Sequence, residues 1–162
     1  MNCLALEPLL EAVADCLRQD ARLAGLAIET AFPARRRPAP LKSAALAVGL
    51  KNVTMSAGAF GDYLGVFGAE ETSGCKQTVT LLLTLYLPYA TGGTGLFALY
   101  AALADCLMGQ KSSFSVSTCT AGEAKLDQEN GVYTLDITAT VSGYATRAAV
   151  YETFDRIDVI RP

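Results

Sequence analysis

The chain has 162 residues, 51% of them hydrophobic and 18% charged, with a formal net charge of −3 and no histidine. That length buries one core and falls short of two, so a single domain over residues 1–162 is expected. Without imidazole, His-based metal sets and the usual base for a Ser or Cys nucleophile are excluded, and a pI near 4.9 argues against a protein built to grip a phosphate backbone.

No uninterrupted apolar run approaches the roughly 18 residues of a membrane span, and Met1 to Leu10 carries Glu7 and Pro8 but no Lys or Arg, unlike a secretory leader. The expectation is a soluble chain that stays in the cytoplasm. The cysteines (Cys3, Cys16, Cys75, Cys106, Cys119) are odd in number and widely spaced, and read as reduced core residues. No metal and no cofactor are expected.

In chain order, a first helix opens at Pro8 and runs to about Gln19. Leu10, Val13, Ala14 and Leu17 form its apolar stripe, and Glu7, Glu11 and Arg18 are placed to suit its dipole. Leu26 to Phe32 reads as a short strand, followed by a basic, proline-held loop, Ala34-Arg35-Arg36-Arg37-Pro38-Ala39-Pro40. Ala44 to Met55 reads as a second strand in which Lys51-Asn52 marks a turn or a change of face, and the glycines from Gly58 to Gly74 predict a loop or irregular hairpin. From Gln77 a long strand alternates Val79, Leu81, Leu83, Leu85 and Leu87 against Thr78, Thr80, Thr84 and Tyr86. A Gly92-Gly93 break leads into an apolar helix with Leu96, Leu99, Leu103 and Leu107 on one side. Ala98, Ala101 and Ala102 behind it suggest cover all round.

Asn130-Gly131 is a strong hairpin signal. As a two-residue loop it pairs Glu129 with Val132, Leu126 with Leu135, Ala124 with Ile137 and Lys125 with Asp136, and carries Phe114 and Val116 onto the Leu126 face without a bulge. Strands peak at about 5–6 residues, so arms this long are expected to project from the domain and to need a partner. Residues 147–162 read as a terminal strand or arm. The expected fold class is therefore α+β: one domain, a mostly antiparallel sheet with room for a mixed pair, two main helices packed on it and a long C-terminal hairpin.

No constellation suited to catalysis emerges. Thr91-Gly92-Gly93-Thr94-Gly95 lies between a strand and a helix, as phosphate loops do, but lacks the P-loop Lys-Ser/Thr and GxGxxG spacing. Glu70-Glu71 and the Glu123, Asp127, Glu129 group sit in exposed settings where carboxylates titrate normally. Arg35, Arg36 and Arg37 are read as a solvated loop or, alternatively, as a contact for a partner surface.

Taken together, helix, proline-rich loop, strand, Ser56-Ala57-Gly58-Ala59-Phe60-Gly61-Asp62-Tyr63-Leu64-Gly65, threonine-alternating strand, Gly-Gly break, helix and closing hairpin resemble prophage tail terminator (tail completion) proteins of Gram-positive bacterial phages, over roughly Leu4 to Thr146. The resemblance implies a non-enzymatic α+β subunit that closes into a ring, usually hexameric, on the tail tube. Such a ring stops tube polymerisation and presents a surface to head-tail connector proteins. It implies a place in the virion, and in the host cytoplasm during assembly, with no membrane and no sequence-specific nucleic acid as partner. No family motif fixes the interface, so Arg35, Arg36, Arg37, Asn130 and Gly131 are candidates from this sequence alone. Two other readings stand beside it: another virion part (head-tail connector, tube or baseplate component), and a small-molecule-binding domain using Gly92-Gly93 with Tyr89 and Tyr100.

Overall fold

A computed structural model describes residues 5–30, 41–57, 63–67, 70–109 and 114–148. The basic loop with Arg35 to Arg37, and residues 149–162 of the expected terminal arm, lie outside them. The elements run α1 (Leu6–Gln19), β1 (Ala27–Thr30), β2 (Ala45–Ala57), β3 (Tyr63–Phe67), β4 (Glu70–Pro88), α2 (Gly95–Gly109), β5 (Val116–Asp127) and β6 (Val132–Ala148). The strands form one sheet in the order β1-β2-β4-β6-β5, with β3 pairing β4 beside that path. Among the described residues only β1 and β2 pair in parallel and the other pairs are antiparallel, so the sheet is mixed.

Both helices cover one face of this sheet. In β4, Val79, Leu81, Leu83, Leu85 and Leu87 all point into the core, as their alternation predicts. They sit beside Leu46 and Val48 of β2 and Leu135, Ile137, Ala139 and Val141 of β6. From above, α1 contributes Leu9, Val13, Ala14 and Leu17, and α2 contributes Leu96, Leu103 and Leu107. Helix α1 begins two residues before Pro8, which is harmless: its first backbone bond is donated by Leu9 to Ala5, so the missing proline N–H falls among the unbonded first-turn donors.

Strand β4 is longer than its sequence suggests. It starts at Glu70, not Gln77, and takes in Gly74, because pairing with β3 and β6 supplies ladder bonds that override the turn tendency of glycine. In β2, where the sequence predicts a turn or a change of face at Lys51-Asn52, the strand continues through a bulge that changes its face: Leu50 pairs with Leu81 and Asn52 with Thr80, leaving Lys51 as the extra residue.

The hairpin is long, but its register and setting differ from expectation. Asp127, not Glu129, pairs with Val132, so Gln128 to Gly131 form a four-residue loop. Asp127 closes it by accepting bonds from the Asn130 backbone N–H at 3.1 Å and from its side-chain amide at 2.6 Å, while Gly131 takes φ +62°. Leu126 therefore faces Tyr133, Ala124 faces Leu135 and Lys125 faces Thr134. Two bulges, at Ala121/Ala124 and Val116/Thr118, each flip the side-chain parity of β5, and the flips cancel. Phe114 and Val116 consequently still reach the core. Gly122 lies in the first bulge, where a Cβ would stand 3.3 Å from the Asp136 carbonyl oxygen. Nor do the arms project: β6 lies between β4 and β5 and pairs with β4 from Thr72↔Ala148 to Pro88↔Val132.

Because Gly131 holds a left-handed conformation, Gly131→Ala is expected to destabilise the chain by about 1 kcal/mol. Urea unfolding should register this as a lower midpoint with unchanged slope, and an unshifted midpoint would mean the loop relaxes to another turn.

Candidate assembly surfaces

The helix-free face of the sheet is set by the second parity of the strands. Thr78, Thr80, Leu82, Thr84 and Tyr86 of β4 stand beside Thr134, Asp136, Thr138, Thr140 and Ser142 of β6. These side chains bond within the face. Thr84 Oγ1 donates to Asp136 Oδ1 at 2.8 Å and Ser117 Oγ donates to the Thr140 carbonyl at 3.1 Å. The result is a threonine-rich polar surface.

Among the described residues, apolar side chains are left open singly at Leu126, Tyr89 and Tyr144, and in groups on α2 and at one end of β2. Helix α2 turns Phe97 (57% exposed), Ala98, Ala101 and Met108 outward, so the all-round cover expected for it is not met among the described residues. Its sequence is apolar on all sides, whereas one chain offers a sheet to only one of them. At the Ala57 end of β2, Val53 and Met55 point to the same face as Leu46 and Val48 yet are 38% and 49% exposed. On the inner strands, Gln77 and Ala145 stay buried on that face.

The opposite end of the sheet carries Asn130 and Gly131. Both are exposed, and their loop is tied to its own chain: the Tyr89 N–H donates to the Gly131 carbonyl at 2.9 Å. The Tyr89 ring stacks on Tyr133, with centroids 5.6 Å apart and planes at 19°. Gly93 packs beside the Tyr133 ring, where a Cβ would sit 3.4 Å from it. The Gly92-Gly93 break is thus a packed connection in which Gly92, at φ +73°, closes a short turn. Of the interface candidates, Asn130 and Gly131 share this tip, while Arg35, Arg36 and Arg37 lie outside the described residues. Val53, Met55, Phe97 and Met108 are open apolar positions that the sequence reading missed. For Val53 and Met55 a signal existed, since the β2 alternation resumes with shifted parity after Lys51.

Polar anchoring concentrates between the helices. Arg22 donates to Asp20 Oδ2 at 2.7 Å and to Asp105 Oδ2 at 2.6 Å, joining the turn after α1 to α2. The Arg22 hydrogen bonds hold the Asp20 carboxyl down to about 2 from its ordinary 3.8, and Asp127 is likewise lowered by its bonds from Asn130. Because the folded-state value of Asp20 lies below the unfolded one, its stabilisation is complete above about pH 4 and fades as pH falls toward 2. Asp20→Asn should therefore melt below the wild type near about pH 6 and converge with it near about pH 2. A gap independent of pH would assign the effect to something other than the ion pair.

Among the described residues, no group of three Cys, Asp or Glu side chains is arranged to hold a metal ion, and no helix is long and apolar enough to cross a membrane.

Architecture and surface together define a single α+β domain: a mixed sheet with two helices on one face, a threonine-rich polar surface on the other and apolar side chains open on α2. Among solved structures, the chain is similar in fold to a subunit from the virion of a native gene transfer agent (GTA) particle. The TM-score is 0.57, and the match covers 87% of this chain and 100% of the other at 22% identity. At that identity the likeness is one of fold. No protein family profile matches the chain, and no curated protein does.

Proposed function

We propose that this chain is a structural subunit of a phage-like particle, acting as a tail terminator. Copies close into a ring of six that caps the tail tube, stops its polymerisation and offers the head-tail connector a surface to bind. The chain works in the virion, is assembled in the host cytoplasm and carries out no reaction. Its partners are further copies of itself and the tail tube and connector proteins. Arg35, Arg36, Arg37, Asn130 and Gly131 are proposed contacts, with residues 147–162 as a terminal strand or arm.

The observation that carries the particle-subunit part of this reading is the fold likeness to a virion subunit, over 87% of this chain and 100% of that one; the terminator role rests on the resemblance of element order. The outward apolar face of α2 fits it as well, since contiguous exposed apolar surface on a small domain marks an interaction site. A cyclic ring uses heterologous contacts, and closure is what distinguishes a terminator from an open-ended tube.

Light scattering coupled to size exclusion, with negative-stain images of the peak, tests this. A closed ring near about 100 kDa, six copies of the 17.0 kDa chain, is the expected result. Long open polymers would instead mark a tube subunit. A chain that remains monomeric at every concentration, and also when mixed with assembled tail tubes, would overturn the terminator role.

A further inference from the structure

Two cysteines 90 residues apart in sequence meet where the helices cross: Cys16 Sγ of α1 lies 3.5 Å from Cys106 Sγ of α2. Both are partly buried thiols on the wall of an open groove of about 300 Å3, lined also by Gln19, Asp20 and Gly109. A disulfide needs its sulfurs near about 2.05 Å, so closure asks for an approach of about 1.5 Å.

We propose that Cys16 and Cys106 are a dithiol modification site that closes into an intramolecular disulfide when the chain meets a small-molecule disulfide oxidant. Through the groove, the Cys16 thiolate attacks one sulfur of the oxidant, forming a mixed disulfide and releasing one small thiol. Cys106, after losing its proton to solvent, attacks the Cys16 sulfur and expels the second. The two protein thiols lose two electrons and two protons; the oxidant gains both and leaves as two thiols.

The surroundings favour the closed form once made. Burial, the Cys16 contact and the nearby Asp20 carboxylate push the Cys106 thiol up to about 12. A thiol of that kind is a poor leaving group, so the bond resists reduction at its Cys16 sulfur. The other described cysteines offer no competing pair: Cys75 stands opposite Ala145 and Cys119 opposite Ala139, well apart along β6 and on either side of it, and burial pushes the Cys119 thiol up. The site does not rest on the virion role, although a particle subunit released from a reducing cytoplasm would meet an oxidising exterior.

The test incubates the full-length chain with oxidised glutathione, counts free thiols and maps peptides after combined tryptic and glutamate-specific cleavage, which separates Cys3 from Cys16. The expected result is a drop from five free thiols to three, with a linked Cys16–Cys106 peptide in monomeric chains. Melting should rise by about 10 °C, because the bond closes a loop of some ninety residues, and should return with dithiothreitol. Cys106→Ala should stop at a Cys16–glutathione adduct with no rise. Glutathione adducts without the linked peptide in the wild type, or linkage only between chains, would overturn the proposal. The wild-type map decides this even if the variant does not fold.

Discussion

Leu83→Ala is expected to lower the unfolding free energy by about 3–4 kcal/mol and the melting temperature by about 10 °C. Leu83 is fully buried in the middle of β4, between Val48 on β2 and Ile137 on β6, both of them buried. Those neighbours are β-branched and sit on strands held by ladders on either side, so they cannot move in to fill the space. The loss should therefore lie in the upper part of the range of about 2–5 kcal/mol for such truncations. Leu82→Ala is the internal control: its side chain points to the half-buried threonine face, and a loss under about 1 kcal/mol is expected. Urea unfolding of the pair checks this, and equal losses would mean that the helices do not lie on the Leu83 face.

The second large effect tests where the C-terminal hairpin lies. Thr138 pairs with Leu82 on one side and Thr120 on the other, so its N–H belongs to a ladder whichever way it points. Thr138→Pro removes that donor and leaves a carbonyl of a neighbouring strand unpaired, a loss on the order of 3 kcal/mol before any ring clash is added. The variant is expected to melt well below the wild type or to fail to fold. Thr138→Val keeps the strand and gives up only a weak 3.5 Å bond from Oγ1 to the Thr120 carbonyl, so its change should stay within about 0.5 kcal/mol. Circular dichroism melts of both variants decide the matter. A well-tolerated proline would show β6 to be an edge or a free arm.

Surface chemistry was harder to read ahead than the core. Phe97 and Met108 belong to a helix whose sequence is apolar on every side, and periodicity alone does not say which side will lack cover. The Cys16–Cys106 meeting had no sequence signal, because the two residues come together only through the crossing of helices that lie far apart in the chain.

Sequence by itself determined the local pattern: the alternation that buries Val79 to Leu87, the stripe of α1, the face change at Lys51 and the turn at Asn130-Gly131. Each depends on side-chain period or turn chemistry within a few residues. Tertiary structure alone decided the parallel pairing of β1 with β2, the central position of β6 and the extension of β4 back to Glu70. It also decided the two-residue shift of the hairpin register. That shift follows from the Asp127 carboxylate closing a four-residue loop and from two bulges in β5, both accommodated by pairing with strands distant in sequence. Strand order and register depend on which backbone groups find partners across the sheet, and no local period encodes that choice.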